Sequence, residues 1–166
     1  MSDRWVGTGV RWTFRPTGRG ESRAARVGLE ERETALARAP LFAALPKRHL
    51  RQLARVSGVM HRDEGSTVVK QGAAGSVFFV ILDGRVKVVR NGRTIARLNA
   101  GDFFGEMSLL DDQPRLASVI TEEPSRFLTL SAKEFQAALD REPALAKRIL
   151  TVIAARLREL ENPPAG

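Results

Sequence analysis

Two residues of opposite charge stand nine apart in the stretch FGEMSLLDDQPRLAS, residues 104–118: Glu106 directly after Gly105, and Arg115 directly after Pro114. A guanidinium is a planar fork of donors that matches phosphate oxygens. EMSLL is long enough for one helical turn opened by Gly105, and a helix start carries unpaired N–H groups and the positive end of the backbone dipole. Both features suit an anion. Glu106 does not, since a carboxylate repels an anionic ligand. The three features agree if the ligand also carries a hydroxyl donor, as a ribose 2′-OH beside a cyclised phosphate would. The simpler reading is a partly exposed ion pair contributing about 0–1 kcal/mol. Asp111 and Asp112 read as a solvated loop tip and are given no catalytic role.

These residues sit between segments with strong local signals. LEERETALARAP is rich in helix formers and stops at Pro40, and LFAALPKRHLRQLARV turns at Pro46 and then places Leu50, Leu53 and Val56 at helical spacing. Strand signals follow: STVVKQG, the nearly continuous apolar SVFFVIL, RVKVVR, RTIARL, LASVIT and SRFLTL. Asp83-Gly84 and Asn91-Gly92 read as two consecutive hairpin turns, which predicts an antiparallel meander. Ser131 and Glu134 in SAKE form a capping box for a helix to about Leu139, and Pro143 opens a longer helix to about Leu160. Helices, then seven or eight short strands, then helices predict a mainly β fold: an antiparallel, jelly-roll-like β-roll with N-terminal helices and two C-terminal helices. We divide the chain into a basic arm over 1–28, one domain over 29–160 and a tail over 161–166.

Composition removes several function classes. The chain has 166 residues and no cysteine, so disulfides, thiolate metal sites and cysteine nucleophiles are excluded. His49 and His61 stand apart, too few for a cupin-type metal cluster, and no Gly-x-Ser-x-Gly motif occurs. We therefore expect no catalytic residues, no metal and no enzyme. The longest uncharged run, Gln71 to Leu82, is too short to cross a bilayer, and no secretory signal is evident, so a cytoplasmic location is expected. Half of the net charge of +8 lies in residues 1–28, where six arginines face only Asp3 and Glu21. That arm, with Trp5, Trp12 and Phe14, reads as solvated chain, and nucleic acid is not expected as a partner.

GDFFGEMSLLDDQPRLASV resembles the phosphate-binding cassette of cyclic-nucleotide-binding domains, as found in catabolite activator proteins, protein kinase A regulatory subunits and cyclic-nucleotide-gated channels. The likeness extends over most of residues 41–160 and includes EGSTVVKQG, FFVILDGRVKV and the two closing helices. It implies that Glu106 accepts from the ribose 2′-OH and Arg115 pairs with the cyclic phosphate. Backbone N–H groups near Met107, Ser108, Leu116 and Ala117 would add donors, Gly105 would permit close approach, and Leu109 would couple the cassette to the helices. Two positions depart from the pattern. Leu116 follows the arginine where the family often has Ala, Ser or Thr, and Thr there goes with cGMP preference. Leu116 thus favours cAMP, with cGMP as the alternative. Ser76 replaces an acid often found in the KQGAAGS loop, which should matter more to the turn than to binding.

The reading is a cyclic-nucleotide-binding regulatory module that relays occupancy through its C-terminal helices. The alternatives are a degenerate fold serving protein contacts, or a transcription regulator without its DNA-binding domain, since no helix-turn-helix pattern follows the last helix. Ala146, Leu150, Ile153, Leu157 and Leu160 recur at a/d spacing and offer a homodimer seam, a packing face or a lid. Output would pass to an effector protein. Arg156 and Arg158 both lie on the helix that could cap the base.

Overall fold

The computed structural model describes residues 27–43 and 45–162, apart from the side chains of Leu109, Leu110 and Leu160. The expectations for residues 1–26, including Trp5, Trp12 and Phe14, and for 163–166 fall outside the described residues. Val27 is buried and its carbonyl accepts from Arg32 Nε at 3.1 Å, so the packed region already includes Val27.

Two short helices, α1 (Leu29–Arg38) and α2 (Lys47–Val56), lead into strands β1 (Gly58–Arg62), β2 (Thr67–Val69), β3 (Val77–Asp83), β4 (Arg85–Arg90), β5 (Arg93–Asn99) and β6 (Phe103–Phe104). A single helical turn and a half, α3 (Glu106–Asp111), precedes β7 (Ser118–Thr121) and β8 (Ser125–Ser131), and helices α4 (Ala132–Arg141) and α5 (Pro143–Glu161) close the chain. The strands form two antiparallel four-stranded sheets, in the orders β1-β8-β3-β6 and β2-β7-β4-β5. The expected β-roll with flanking helices is what the chain adopts.

The apolar run of β3 has a layered cause. Successive side chains on a strand point to opposite faces. Phe78 and Val80 enter a core shared with α1, α2, α4 and α5, where Leu36, Leu53, Phe135 and Ile149 meet them. Val77, Phe79 and Ile81 enter a second core between the sheets, with Val86, Val119 and Phe127. The first sheet is covered on both faces, so its central strand has no polar side. Phe103 and Phe104 divide between the two cores in the same way: Phe103 lies against Phe78 at 5.5 Å, and Phe104 stacks on Phe79 at 4.8 Å.

One hairpin forms and the other does not. Asn91 (φ 51°) and Gly92 (φ 76°) turn β4 into β5 with Arg90 opposite Arg93, as Asn-Gly predicts. Asp83-Gly84 is a corner instead. Both edges of β3 are taken, by β8 and by β6, so β4 has no edge to pair with and passes to the other sheet. Gly84 turns that corner at φ 93°, tight against Ser125, where a Cβ would lie 2.1 Å from the hydroxyl. The meander expectation is corrected accordingly. Ser131 caps α4 by accepting from the Glu134 N–H at 3.2 Å.

The expected stripe on α5 is displaced by one residue. Leu145 and Ile149 are the buried positions, with Val152 and Ile153 packed partly against the same core. Leu150 and Leu157 face outward, 65% and 55% exposed, and Ala146 is half-buried. The side chain of Leu160 is not among those described. Ile153 alone of the described stripe joins the core, because the domain's last contact runs along the neighbouring face. No described helix is long and apolar enough to cross a membrane.

Candidate functional site

Gly105 and Pro114 frame the segment that brings Glu106 and Arg115 together. Gly105 adopts φ 90°, a left-handed conformation open to glycine and costly to other residues, and from it α3 begins. A Cβ there would meet the Val77 carbonyl at 2.7 Å and Arg115 Nη1 at 2.9 Å. The position therefore needs glycine both for the backbone angle and for the close approach of the guanidinium.

Arg115 is only 6% exposed and is held on three sides. Its Nη1 donates to the Gly105 carbonyl at 2.9 Å and its Nη2 to the Val77 carbonyl at 2.8 Å. Its own backbone is pinned to the loop before β3: Arg115 N–H donates to the Ala73 carbonyl at 2.9 Å, and Gly72 N–H donates to the Arg115 carbonyl at 2.8 Å. Gly75 lies flat against the guanidinium, where a Cβ would fall 2.0 Å from Nε. Burial draws the Arg115 pKa down from its ordinary value, and the nearby Glu106 charge opposes that shift. An arginine starts so high that it stays a cation. Two of its five N–H donors are spent on carbonyls, which leaves the fork rigid and three donors for an anion.

Glu106 is 2% exposed. A buried carboxylate requires a partner, and it has one that the sequence left undecided. Arg156 on α5 donates through Nη1 to Glu106 Oε1, donates through Nη2 to the Phe103 carbonyl at 2.6 Å, and stands 4.8 Å over the Phe103 ring. Of the two arginines considered on α5, Arg156 reaches the cassette, and Arg158 is exposed. Arg156 continues the packing face of Leu145, Ile149 and Val152 at the 4, 3, 4 spacing, which was the signal that could have selected it.

The remaining expected positions divide. Ser108 is buried within α3, Met107 and Ala117 are half-buried, and Leu116 is 52% exposed directly beside Arg115. Leu109 keeps its place on α3, but its side chain is not among those described. Gly75, Ala73 and Val77 were not singled out from the sequence, yet they cradle Arg115. The KQGAAGS loop is thus part of the site, whereas the Ser76 side chain is exposed and its carbonyl accepts from Ala132 N–H at the start of α4. Asp111 and Asp112 are exposed, as expected of a loop tip. Neither histidine joins the site: His49 pairs with Glu142, and His61 lies exposed on β1. Among the described residues no group of three potential ligands could hold a metal ion.

A buried fork of donors, a buried carboxylate and a left-handed glycine in one turn suit a ligand that is both anion and hydroxyl donor. Comparison with known proteins gives the family. The profile of the cyclic nucleotide-binding domain matches residues 59–142, just over half of the chain. The Pycsar effector protein XpPycTIR of Xanthomonas perforans is 38% identical over 109 residues, covering 65% of this chain and 36% of that protein. The cyclic AMP receptor protein of Thermus thermophilus is 34% identical over 103 residues, covering 59% of this chain and 48% of that one. The solved Thermus thermophilus catabolite activator protein superposes with a TM-score of 0.67 at 31% identity, over 74% of this chain and 60% of the other. The chain thus spans about half or less of the curated relatives it matches. It belongs to the cyclic nucleotide-binding domain family.

Proposed function

We propose that the chain is a regulatory module that binds cAMP at the Glu106–Arg115 cassette and reports occupancy through α5, without catalysing a reaction itself. Three groups support the binding. The guanidinium of Arg115 keeps free donors for the cyclic phosphate, the α3 start at Gly105 adds backbone N–H groups, and Glu106 is the acceptor for a ribose hydroxyl. Leu116 stands exposed where the base would lie, and it has no hydroxyl with which to hold a guanine amino group, which favours adenine.

The observation that carries the relay is the hold of Arg156 on Glu106. The carboxylate is buried with Arg156 bonded to its Oε1, so a ribose hydroxyl that takes that oxygen displaces Arg156. Arg156 belongs to α5, and its departure releases the half of that helix beyond Ile149, which has few buried contacts of its own. Ligand then shifts a population between two placements of α5. Leu150 and Leu157, already exposed, are where a second copy or an effector would take up that change.

Calorimetric titration with cAMP and cGMP, beside Arg115→Ala, tests the binding, and hydrogen exchange over residues 143–161 tests the relay. Saturable cAMP binding lost in the variant and faster exchange in α5 on saturation are expected. A folded protein that gives no heat with either nucleotide has kept this fold for protein contacts. Binding without any change in α5 exchange would retain the cassette and remove the relay.

A further inference from the structure

The strongest unassigned feature lies away from the cassette, along α2 and α4. The α2 sequence KRHLRQLARV buries Leu50, Leu53 and Ala54, and its outward side carries Lys47, Arg48, Arg51 and Arg55. These four bases line a shallow cleft along the helix. Beside it runs a groove between α2 and α4, floored by Leu45, Leu53, Val56, Ala137 and Ala138 and flanked by Lys133 and Arg141. Six bases border the two clefts against two acids; of these, Glu142 is paired with His49 and Arg51 with Glu33 of α1 at 3.3 Å.

Two features separate this surface from an ordinary solvated face. Val56 is 51% exposed at the end of a helix whose other apolar residues are buried, and it sits at the groove floor rather than alone on a polar surface. Arg55, which lines both clefts, makes no ion pair with the described residues. An apolar floor with a predominantly basic rim is the pattern of a groove that takes an amphipathic helix of opposite charge.

The chain's own sequence narrows the occupant. Residues 1–26 hold six arginines against two acids, so that segment would be repelled. A second copy would bring another basic α2, the exposed side of α5, where Lys147, Arg148 and Arg158 lie near Leu150 and Leu157, or the exposed side of α1, whose Glu31 and Glu33 are already paired with Arg126 and Arg51 of their own chain. None of these offers a full acidic complement to the rim. Nucleic acid would satisfy the bases but leave the apolar floor without a partner.

We propose that the α2–α4 groove docks an acidic amphipathic helix of a partner protein, with its leucine-type side chains on Val56 and Ala137 and its carboxylates on Arg55, Arg141 and the Lys47–Arg51 rim. This surface is independent of the cassette and stands whether or not a nucleotide binds there.

The test is fluorescence anisotropy on the full chain with a labelled 18-residue helical peptide, leucine at i, i+3, i+4 and i+7 positions and glutamate elsewhere. Expected is saturable binding that weakens as salt rises, is lost at least tenfold in Arg55→Glu/Arg141→Glu and in Val56→Asp, and is absent for the same peptide with lysine in place of glutamate. All three positions are exposed, so the variants should keep the wild-type melting temperature. The proposal is overturned if the acidic peptide does not bind, if both peptides bind alike, if the variants bind as well as wild type, or if duplex DNA displaces the peptide at lower concentration.

Discussion

Arg156 and Glu106 are fifty residues apart in the chain, and one is the buried partner of the other. The carboxylate that fits a ribose hydroxyl is already engaged by the last helix. The same guanidinium also bonds the Phe103 carbonyl and lies over the Phe103 ring, so it ties α5 to the turn that leads into the cassette.

Breaking that pair leaves a buried carboxylate with Arg115 as its remaining nearby cation. Urea unfolding of wild type, Arg156→Ala, Glu106→Gln and the double variant is expected to give a coupling energy of about 0.5–3 kcal/mol, the range for directly bonded neighbours. Arg156→Ala is also expected to bind cAMP about five- to tenfold more tightly, because the ligand no longer competes for Glu106; that factor corresponds to about 1–1.4 kcal/mol. Weaker binding in Arg156→Ala would mean that the guanidinium contacts the nucleotide rather than competing with it.

Gly75→Ala should abolish nucleotide binding as fully as Arg115→Ala. The new methyl would lie 2.0 Å from Nε and 2.5 Å from the guanidinium carbon, so the fork must leave its seat between the Gly105 and Val77 carbonyls. Because Arg115 is buried there, some stability goes with it, about 1–3 kcal/mol if its carbonyl partners are left without donors. A variant that stays folded, melts several degrees below wild type and binds no nucleotide is the expected result. One that binds normally would show that Arg115 does not need this cradle.

Much of this was legible in the chain, and the parts that were not have physical reasons. Local signals carried the helices, the Asn91-Gly92 hairpin and the Ser131 cap, since each depends on residues within four positions. Glu106, Gly105 and Arg115 were legible because their chemistry is dense within one loop. Asp83-Gly84 misled because the same dipeptide serves a hairpin or a corner, and the choice belongs to β6 and β8, which fill the edges of β3. β6 is two residues long, too short to show any period. Gly75 could not be read, because what it faces arrives forty residues later. On α5 the a/d stripe was visible in letters, but the core lies against the adjacent stripe, and only the position of Phe103 and Glu106 shows why Arg156 must be on it.

Leu116→Thr should raise affinity for cGMP relative to cAMP. Leu116 is 52% exposed, so the substitution removes little buried surface and the fold should persist. A hydroxyl beside Arg115 could bond the guanine amino group, and one such bond is worth about 0.5–1.5 kcal/mol, a shift of up to about tenfold in the affinity ratio. Parallel calorimetry with both nucleotides measures it. An unchanged ratio would separate base selection from this position.

The register of α5 can be tested by two neighbouring substitutions. Ile149 is 2% exposed in the core with Phe135 and Leu145, whereas Leu150 is 65% exposed. Ile149→Ala should cost about 2–5 kcal/mol, the range for truncating a buried aliphatic side chain. Leu150→Ala should stay within about 0.5 kcal/mol in the monomer, as surface changes do. If the outward face joins two copies, Leu150→Asp with Leu157→Asp would lower the sedimentation-derived mass toward 18.3 kDa while the melting temperature at low concentration stays unchanged. A wild type that already sediments at that mass leaves the face to an effector. Equal losses for Ile149→Ala and Leu150→Ala would contradict the packing described, in which Ile149 lies in the core and Leu150 faces outward.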